Sequence, residues 1–324
     1  MTIYGIAKEA GVSISTVSRV INGGSCSPET KRRVYAVMER HGYQPNAIAR
    51  GLASNRMMTI AIVMVDIRVG HYAHTAYELE RFFHARHYEV LICNTGSDLA
   101  DIKGDLEGLE SRKVDGIFLL GSTFDRVQHD PGICRIIQSI PTVQANGNMH
   151  LAGVDTVRVD DAKGIRMVVD YLYGHGRRSI IYAQDVNTSS AEMKVRGYQE
   201  AMAVHHLPIH VLACDHSLEG GRDVVEQLAS MRVDYDAMVF GDDIPAIGAI
   251  KALKARGVAI PSQVAVTGFN NLKSARFTET ELTSVDNKYW QLASESAQCM
   301  LARLEHRPVS IPVIEPELVI RQST

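Results

Sequence analysis

The chain has 324 residues, more than one typical domain, so we expect two or three units with cores of their own. Its apolar fraction of 45% and charged fraction of 22% are ordinary for a globular protein, and the absence of any run of eighteen apolar residues excludes a membrane-spanning helix. The formal net charge is −3, yet residues 1–58 carry eight Lys/Arg against three Glu, whereas the remainder carries 26 basic and 34 acidic residues. A basic head on an acidic body indicates a nucleic-acid-binding module joined to a domain that does not bind nucleic acid.

The cysteines and the first residues favour a cytoplasmic protein. The five cysteines are odd in number and widely spaced, and they form no CxxC motif, which predicts reduced thiols without a disulfide frame or a zinc site. The opening residues lack a basic and then apolar leader, so we expect no export. These cysteines are Cys26, Cys93, Cys134, Cys214 and Cys299.

The first forty residues predict three short helices. Thr2 is a candidate N-cap for a helix that ends at Gly11, and Ser27 followed by Pro28 begins a third helix that runs to about His41. The helix between them has two faces. Its apolar stripe is Val17, Val20 and Ile21, and its other face carries hydroxyl, amide and guanidinium groups without an acidic residue. Helix, glycine-containing turn and polar-faced helix form the helix-turn-helix pattern, although an ordinary surface helical hairpin has the same spacing.

Residues 45–57 predict a linker with a short helix over 47–54. From Met57 onward the hydrophobic pattern of the sequence changes. Short apolar runs alternate with helix-like stretches, which is typical of parallel sheets covered by helices on both faces. Ligands of such folds bind beyond the carboxyl ends of the strands, where this chain is polar or glycine-rich. We therefore predict a pocket for a polyhydroxylated or amide-rich small molecule; the alternative is that these loops are polar because they are solvated. The apolar runs lie at 59–65, 89–93, 116–120, 141–145, 178–183, 209–213, 237–240 and 264–269.

Residues 2–56 resemble the DNA-binding head of the LacI/GalR family of bacterial transcriptional repressors. The similar segments include Ala10-Gly11-Val12-Ser13, Thr16-Val17-Ser18-Arg19-Val20, Ser27-Pro28-Glu29-Thr30 and Gly42-Tyr43-Gln44-Pro45-Asn46. The resemblance implies base contacts from Ile14, Ser15 and Arg19, and phosphate contacts from Thr2, Tyr4, Ser13, Thr16, Ser18 and Asn22. It also implies a hinge helix that places Leu52 in the minor groove as an apolar wedge. Gly51 precedes Leu52 and costs about 1 kcal/mol in a helix interior, so this hinge helix should depend strongly on DNA for its folding.

The remainder resembles the core of the same family and, through it, the periplasmic sugar-binding fold of two α/β lobes around a cleft. The similar segments include Val114-Asp115-Gly116-Ile117, Arg196-Gly197-Tyr198 and Val264-Ala265-Val266-Thr267-Gly268-Phe269. The expected fold class is thus a small all-α helix-turn-helix head with an α/β core of two lobes, each a parallel sheet covered by helices. The expected domains are a head over 1–44, a hinge over 45–57 and a core over 58–324. Its lobes take 58–158 with 288–312 and 159–287 with 313–324, with crossings near 157–160, 285–289 and 312–316.

The resemblance also implies effector-binding residues: Arg68, His71, Tyr72, Asn146, Lys194, His216, Asp242 and Asn270. Three of them depart from the family pattern, because Lys194 stands at an Arg position and the Asn and Asp identities are reversed at Asp242 and Asn270. Lysine donates from a single nitrogen and cannot form the paired hydrogen bonds that arginine forms. The Asp and Asn side chains can still bind sugar hydroxyl groups, so the pocket can hold a sugar, but these departures do not allow the sugar to be named. The cationic side chains also leave open an anionic effector such as a sugar phosphate, or a plain ion pair between Lys194 and Asp242.

Catalytic and cofactor motifs are absent from the sequence. The thirteen histidines form no HExxH frame, and no GxSxG, GxGxxG or Walker loop occurs, so we expect no catalysis, metal or cofactor. The favoured function is a sequence-specific repressor of a carbohydrate-related operon, in the cytoplasm on the nucleoid, controlled by a sugar-like effector. A near-palindromic operator requires a two-fold dimer, and the end at Thr324 without a leucine-heptad tail favours a homodimer over a tetramer. The alternatives are an exported solute-binding protein, a regulator that responds to a nucleobase or sugar phosphate, and an α/β enzyme.

Overall fold

The computed structural model describes residues 1–21, 24–43, 56–308 and 310–324. Within it the chain forms two compact units, Met1–Thr59 and Ile60–Thr324. The predicted hinge helix over 47–54, together with Asn22 and Leu52, lies outside the described residues.

The first unit contains three helices: α1 over Ile3–Ala10, α2 over Ile14–Ile21 and α3 over Pro28–Arg40. The caps predicted from the sequence form. The Thr2 hydroxyl accepts from the Gly5 amide at 3.4 Å, Gly11 ends α1 in the left-handed region at φ 62°, and the Ser27 hydroxyl accepts from the Thr30 amide at 3.2 Å. Each cap supplies a partner for a helix-end group that has none within the helix.

The small core of the head comes from all three helices. Its buried side chains are Ile6, Ala7, Ala10, Val17, Val20, Val34, Val37 and Met38. Burying the Val17 and Val20 stripe turns the opposite face of α2 to solvent, which leaves the polar residues of that helix free to contact a ligand.

The second unit has two lobes, each built on a six-stranded sheet. The first sheet has the order β11-β5-β4-β3-β1-β2. The strand pairs β1–β3, β3–β4, β4–β5 and β5–β11 are parallel. Its elements are β1 Thr59–Met64, α4 Gly70–His84, β2 Glu89–Asn94, α5 Leu99–Ser111, β3 Gly116–Leu120, a 3-10 helix Ser122–His129, α6 Pro131–Ser139, β4 Thr142–Ala145, β5 Val154–Val159, α11 Tyr289–Leu304 and β11 Val313–Ile314.

The second sheet has the order β12-β10-β9-β8-β6-β7, parallel except for the antiparallel pair of β10 with β12. Its elements are α7 Asp161–Gly174, β6 Ile180–Gln184, α8 Ser189–Val204, β7 Val211–Ala213, α9 Leu218–Met231, β8 Ala237–Phe240, α10 Asp243–Ala255, β9 Ala265–Phe269, a 3-10 helix Lys273–Arg276, β10 Thr283–Asp286 and β12 Glu317–Val319. The two-lobe α/β fold class expected from the sequence is therefore confirmed.

The chain passes between the lobes three times: after β5, between β10 and α11, and between β11 and β12. All three passages fall within the ranges expected from the sequence. Val313 and Ile314 pair with Arg158 and Val159 at the edge of the first sheet. The first lobe therefore extends to 314, two residues past the approximate boundary expected from the sequence.

Both sheets reverse their strand order at one point, between β1 and β3 in the first lobe and between β6 and β8 in the second. In open α/β sheets the crevice for a ligand opens beyond the carboxyl ends of the strands at such a reversal. The loops to inspect are therefore those that follow β1, β3, β6 and β8.

Candidate functional site

The face of α2 that points away from the head core is exposed and polar apart from one residue. Ser15 and Arg19 are exposed, and Ile14 keeps 41% of its surface in contact with solvent. The Ser13 hydroxyl accepts from the Thr16 amide at 3.1 Å and lies 2.8 Å from the hydroxyl oxygens of both Ser15 and Thr16. Ser13 thus fixes the first turn of α2, while the guanidinium of Arg19 projects from the last turn.

The other predicted DNA contacts differ in their exposure. Thr2, Tyr4 and Ser13 are exposed, whereas Thr16 and Ser18 are half-buried. The exposed set combines hydroxyl donors for phosphate oxygens, one guanidinium that matches a guanine edge and one apolar side chain that matches a thymine methyl group. Asn22 and Leu52, also predicted to contact DNA, lie outside the described residues.

A cavity of about 150 Å³ lies between the lobes of the core, beyond the carboxyl ends of the strands named above. Seven of the eight side chains predicted to bind an effector line it: His71, Tyr72 and Asn146 from the first lobe, and Lys194, His216, Asp242 and Asn270 from the second. The structure thus brings together residues that are up to two hundred positions apart in the sequence.

Arg68 is the predicted effector residue that the structure does not place in this cavity. Its side chain is 88% exposed and forms a bidentate pair with Asp66, with the closest nitrogen and oxygen 2.7 Å apart. It lines an outer groove beside His74 and Lys273 instead. The guanidinium pairs with Asp66, two residues away, and an effector role for Arg68 stays a prediction.

A chain of amide and carboxylate groups forms the second-lobe wall of the cavity. The Asn270 amide donates to Asp242 Oδ2 at 2.6 Å, and the Asn287 amide donates to Asn270 Oδ1 at 2.6 Å. Asp242 also caps α10 by accepting from the Ile244 amide at 2.8 Å. Burial raises the pKa of Asp242, which is 3% exposed. These contacts fix the orientation of Asp242 and Asn270.

Lys194 projects into the cavity from α8. Its ammonium donates to the Gly241 carbonyl at 2.8 Å and lies 4.0 Å from the centre of the Phe269 ring, a cation–π contact. The ion pair with Asp242 considered from the sequence does not form, since the Asp242 side chain is held by Asn270 and the Ile244 amide. Gly197, one turn further along, lets α8 approach α7, because a Cβ there would lie 2.2 Å from the Ala162 carbonyl oxygen.

His216 and Asp185 form a pair at the mouth of the cavity. His216 Nδ1 lies 2.6 Å from Asp185 Oδ2, and this hydrogen bond raises the pKa of His216. Burial alone would raise the pKa of Asp185, but the hydrogen bond from His216 and the charge of Lys194 outweigh it and lower the pKa. Asp185 is therefore an ionised acceptor at neutral pH.

The first lobe contributes an aromatic wall at the start of α4. Burial, with a smaller contribution from the charge of Lys194, lowers the pKa of His71 to about 3, so this imidazole is neutral at pH 7. Burial raises the pKa of Tyr72 to about 12. The Tyr72 ring packs over Gly121, where a Cβ would lie 2.2 Å from the Tyr72 hydroxyl oxygen and where φ is 102°. Glycine at 121 therefore makes room for the ring.

Five further polar residues line the cavity but were not predicted to bind an effector: Ser122, Thr123, Asp185, Thr188 and Ser190. Asp185 directly follows β6 and Ser122 lies two residues after β3, so their position after a strand was the available signal. Thr188 and Ser190 lie at the start of α8, and Thr188 is its N-cap. In the sequence these residues indicate an ordinary helix start and not a binding site.

Hydrogen bonds join the two lobes at the cavity, where the Asn270 amide nitrogen lies 3.5 Å from His71 Nδ1. The Ser189 hydroxyl of the second lobe donates to Asp125 of the first. Asp125 also accepts from the Gln144 amide at 2.6 Å and from the backbone amide of Asn148 at 2.9 Å. The carboxylate is thus fixed within its own lobe, so that the contact with Ser189 depends on how far the cleft is closed.

Across residues 1–21, 24–43, 56–308 and 310–324, no group of three metal-ligating side chains occurs, and the five cysteines are free thiols. In the same part of the chain no helix is long and apolar enough to span a membrane.

Comparison with known proteins agrees with this architecture. Residues 2–46 match the model of "Bacterial regulatory proteins, lacI family", and residues 169–324 match that of a "Periplasmic binding protein-like domain". An HTH-type transcriptional regulator of Lachnoclostridium phytofermentans is 33% identical over 100% of this chain and 99% of its own. Catabolite control protein A of Staphylococcus xylosus is 28% identical, again over 100% of this chain and 99% of its own.

Solved structures show the same fold. The Lac repressor dimer bound to operator and the anti-inducer ONPF superposes with a TM-score of 0.89 at 20% identity, covering 100% of this chain and 98% of that one. The transcriptional regulator CelR in complex with cellobiose gives a TM-score of 0.75 at 25% identity, with 100% of both chains covered.

The chain belongs to the lacI family of bacterial regulatory proteins. The resemblance noted in the sequence is thereby confirmed, and the protein is a DNA-binding transcriptional regulator. Its relatives are transcriptional regulators as well.

Proposed function

We propose that the protein is a repressor of a carbohydrate-related operon whose affinity for its operator is set by a neutral sugar bound between the lobes. The observation that carries this proposal is the cavity itself, in which seven predicted residues from both lobes converge. Hydroxyl, amide and carboxylate groups alternate around it, and a polyhydroxylated ligand needs both donors and acceptors. CelR, solved with cellobiose, is 25% identical to this chain.

The charges of the cavity favour a neutral sugar over a sugar phosphate. Asp185 and Asp242 both line the cavity, His71 is neutral, and the ammonium of Lys194 is already held by a carbonyl oxygen and an aromatic face. Because Lys194 and His216 face two carboxyl groups, the cavity has no excess of positive charge to bind a phosphate group. The same argument weighs against the anionic effector considered from the sequence.

We further propose that a homodimer binds a near-palindromic operator through two copies of α2, with base contacts from Ile14, Ser15 and Arg19. The exposed face of α2 supports this, as does the match of residues 2–46 to the lacI family, which also favours a regulator over an exported solute-binding protein. The protein would then act in the cytoplasm on the nucleoid. Because Asp185 is paired with His216 and Asp242 caps a helix, we propose that the cleft binds its ligand without turnover.

The test combines ligand screening with DNA binding. Thermal unfolding of the full chain is measured against neutral sugars, sugar phosphates and nucleobases, because a ligand of the native state raises the melting temperature. Each compound that raises it is then added to a gel-shift titration with DNA from upstream of the protein's own gene. We expect a neutral sugar to shift both the melting temperature and the apparent affinity for DNA. A response to sugar phosphates or nucleobases alone contradicts the proposal.

A further inference from the structure

Asp185 and His216 form a hydrogen-bonded pair whose two members differ in exposure. The Asp185 side chain is 5% exposed, whereas that of His216 is 29% exposed and lines both the cavity between the lobes and the outer groove. Gly241 packs against the carboxylate, since a Cβ there would lie 2.8 Å from Asp185 Oδ1. The carboxylate is therefore fixed inside the wall, and the imidazole is presented to a ligand.

This hydrogen bond determines which ring nitrogen of His216 changes its hydrogen-bonding role. His216 Nδ1 lies 2.6 Å from Asp185 Oδ2, and because the carboxylate is ionised it accepts the hydrogen of Nδ1 in both protonation states of the ring. The proton that His216 gains or loses is then the one on Nε2, for which the described part of the chain provides no partner. An imidazolium offers a donor at Nε2, whereas a neutral imidazole offers an acceptor there.

The second-lobe wall has few free donors for a ligand. The Asn270 amide donates to Asp242 Oδ2 at 2.6 Å, and the Lys194 ammonium donates to a backbone carbonyl at 2.8 Å. The same wall presents the carboxyl groups of Asp185 and Asp242 as acceptors. A sugar hydroxyl can donate to such acceptors, but the ring and glycosidic oxygens of a sugar only accept. These oxygens need a donor, and Nε2 of a protonated His216 supplies one.

The charges around His216 stabilise its protonated form. The hydrogen bond to Asp185 and the charge of Asp242 raise the pKa of His216, and together they outweigh burial and the charge of Lys194, which lower it. The pKa of His71 is about 3 and that of Asp185 is lowered, so neither group changes its charge between pH 6.0 and pH 8.5. The titratable and charged groups that face His216 are Asp185, Lys194, Asp242 and His71 around the cavity, and Asp66, Arg68, His74 and Lys273 around the outer groove, while Cys214 and Asp215 precede it in the chain.

We propose that the Asp185–His216 pair makes effector binding dependent on pH, because His216 as an imidazolium donates from Nε2 to a ring or glycosidic oxygen of the sugar. Binding of the sugar then weakens as the pH rises and His216 loses its proton. This inference rests on the proposed function, because it describes how the same cavity holds the same sugar.

The test is isothermal titration calorimetry of the full chain at pH 6.0 and pH 8.5. The probes are the neutral sugars that raise the melting temperature, beginning with D-glucose, D-galactose, D-xylose and cellobiose. We expect the dissociation constant of a sugar to rise by about tenfold between the two pH values, because a hydrogen bond from a charged donor is lost. His216→Gln keeps an amide donor that does not titrate, so its two dissociation constants should agree within about twofold.

Two further variants separate the pair from its surroundings. Asp185→Asn removes the charge that stabilises the imidazolium, so the change in affinity should have its midpoint at a lower pH, which a purely structural role of Asp185 would not produce. His205→Gln is the matched control, because His205 forms the same kind of pair with Asp170 at 2.7 Å and lines neither the cavity nor the outer groove. This control should keep the tenfold change of the wild type.

Three results overturn the inference and leave the sugar effector in place. They are equal affinity of the wild type at both pH values, tighter binding at pH 8.5, and a change in affinity that survives His216→Gln. If no neutral sugar binds at either pH, the inference fails together with the neutral-sugar effector.

Discussion

The head and the effector cleft achieve recognition in opposite ways. The candidate base contacts Ile14, Ser15 and Arg19 lie within one short stretch of sequence on an exposed face of α2. The cleft gathers its lining from loops on two lobes, and most of that lining is half-buried. A helix face is complete once its own core is packed, whereas a cleft exists only when two separate sheets have formed.

This difference has a consequence for the chemistry of each surface. Exposed hydroxyl and guanidinium groups keep their own water until DNA displaces it, so each contact adds modest free energy and many are needed. The groups of the cleft are already fixed by one another, as Asp242 is by Asn270 and Asp185 by His216. A single substitution there should therefore disturb several contacts at once, whereas one in the head should remove a single contact.

The largest effect is expected from Arg19→Ala in the head. Loss of a bidentate contact to a base costs about 1–3 kcal/mol, and a dimer loses it twice, so operator affinity should fall by about 30-fold to more than about 10,000-fold. Affinity for random duplex should fall only slightly. Gel-shift titrations with operator and random DNA measure the ratio.

The matched control for Arg19→Ala is Arg33→Ala, which removes an equally exposed guanidinium from α3. Loss of one cation should weaken binding to both duplexes by the same small factor. If Arg33→Ala lowers the ratio as much as Arg19→Ala, base readout by Arg19 is wrong.

In the cleft, Lys194→Ala should remove the response to effector while DNA binding stays intact. The substitution deletes a cation that touches the Gly241 carbonyl and the Phe269 ring, and effector affinity should fall by about 10- to 100-fold. Calorimetry gives the affinity, and a gel shift with and without effector gives the response. Lys251→Ala on the exposed face of α10 is the control and should respond as the wild type does. An unchanged response of Lys194→Ala would remove Lys194 from the site.

A smaller effect is expected from Ser189→Ala between the lobes. It deletes the hydrogen bond to Asp125, which keeps its partners Gln144 and the Asn148 amide, so the closed form loses one contact without leaving a buried charge unpaired. Effector affinity should fall by about 3- to 10-fold while the melting temperature of the free protein changes little. Ser111→Ala, which removes a hydrogen bond within α5, should leave the affinity unchanged. An equal affinity in both variants means that Ser189 does not contribute to closure.

The sequence predicted the head more completely than the core for a physical reason. Caps and apolar spacing act within a few residues, so Thr2, Gly11 and Ser27 predict helix ends that the structure shows. The strands β5 and β10 were not predicted, because Val154–Val159 alternates in burial and Thr283–Asp286 is mostly polar. Both lead to passages between the lobes, where one end of a strand meets polar groups rather than a continuous core.

The residues of the cleft were predicted from two sources only: their positions after the strands, and the resemblance to the family. That His71 and Asn270 face the same cavity follows from the topology of two sheets, which no local pattern contains. The position of Arg68 has a local cause: its side chain pairs with Asp66, two residues away, and that spacing would have allowed the pairing to be predicted.

The last prediction concerns pH and depends on the half-buried imidazole of His71 in the cleft. The pKa of His71 is lowered from 6.5 to about 3, so the unfolded chain binds a proton at pH 5.5 that the folded chain does not. Stability from this group is present above pH 6.5 and declines as the pH falls, by about 1 kcal/mol between pH 7 and pH 5.5. Urea unfolding of the wild type and of His71→Asn at both pH values measures the difference. The wild type should lose about 1 kcal/mol more than the variant, even though the raised pKa of His216 acts in the opposite direction in both proteins. Equal losses of stability in the two proteins would mean that His71 binds its proton in the folded chain at pH 5.5, which contradicts the lowered pKa.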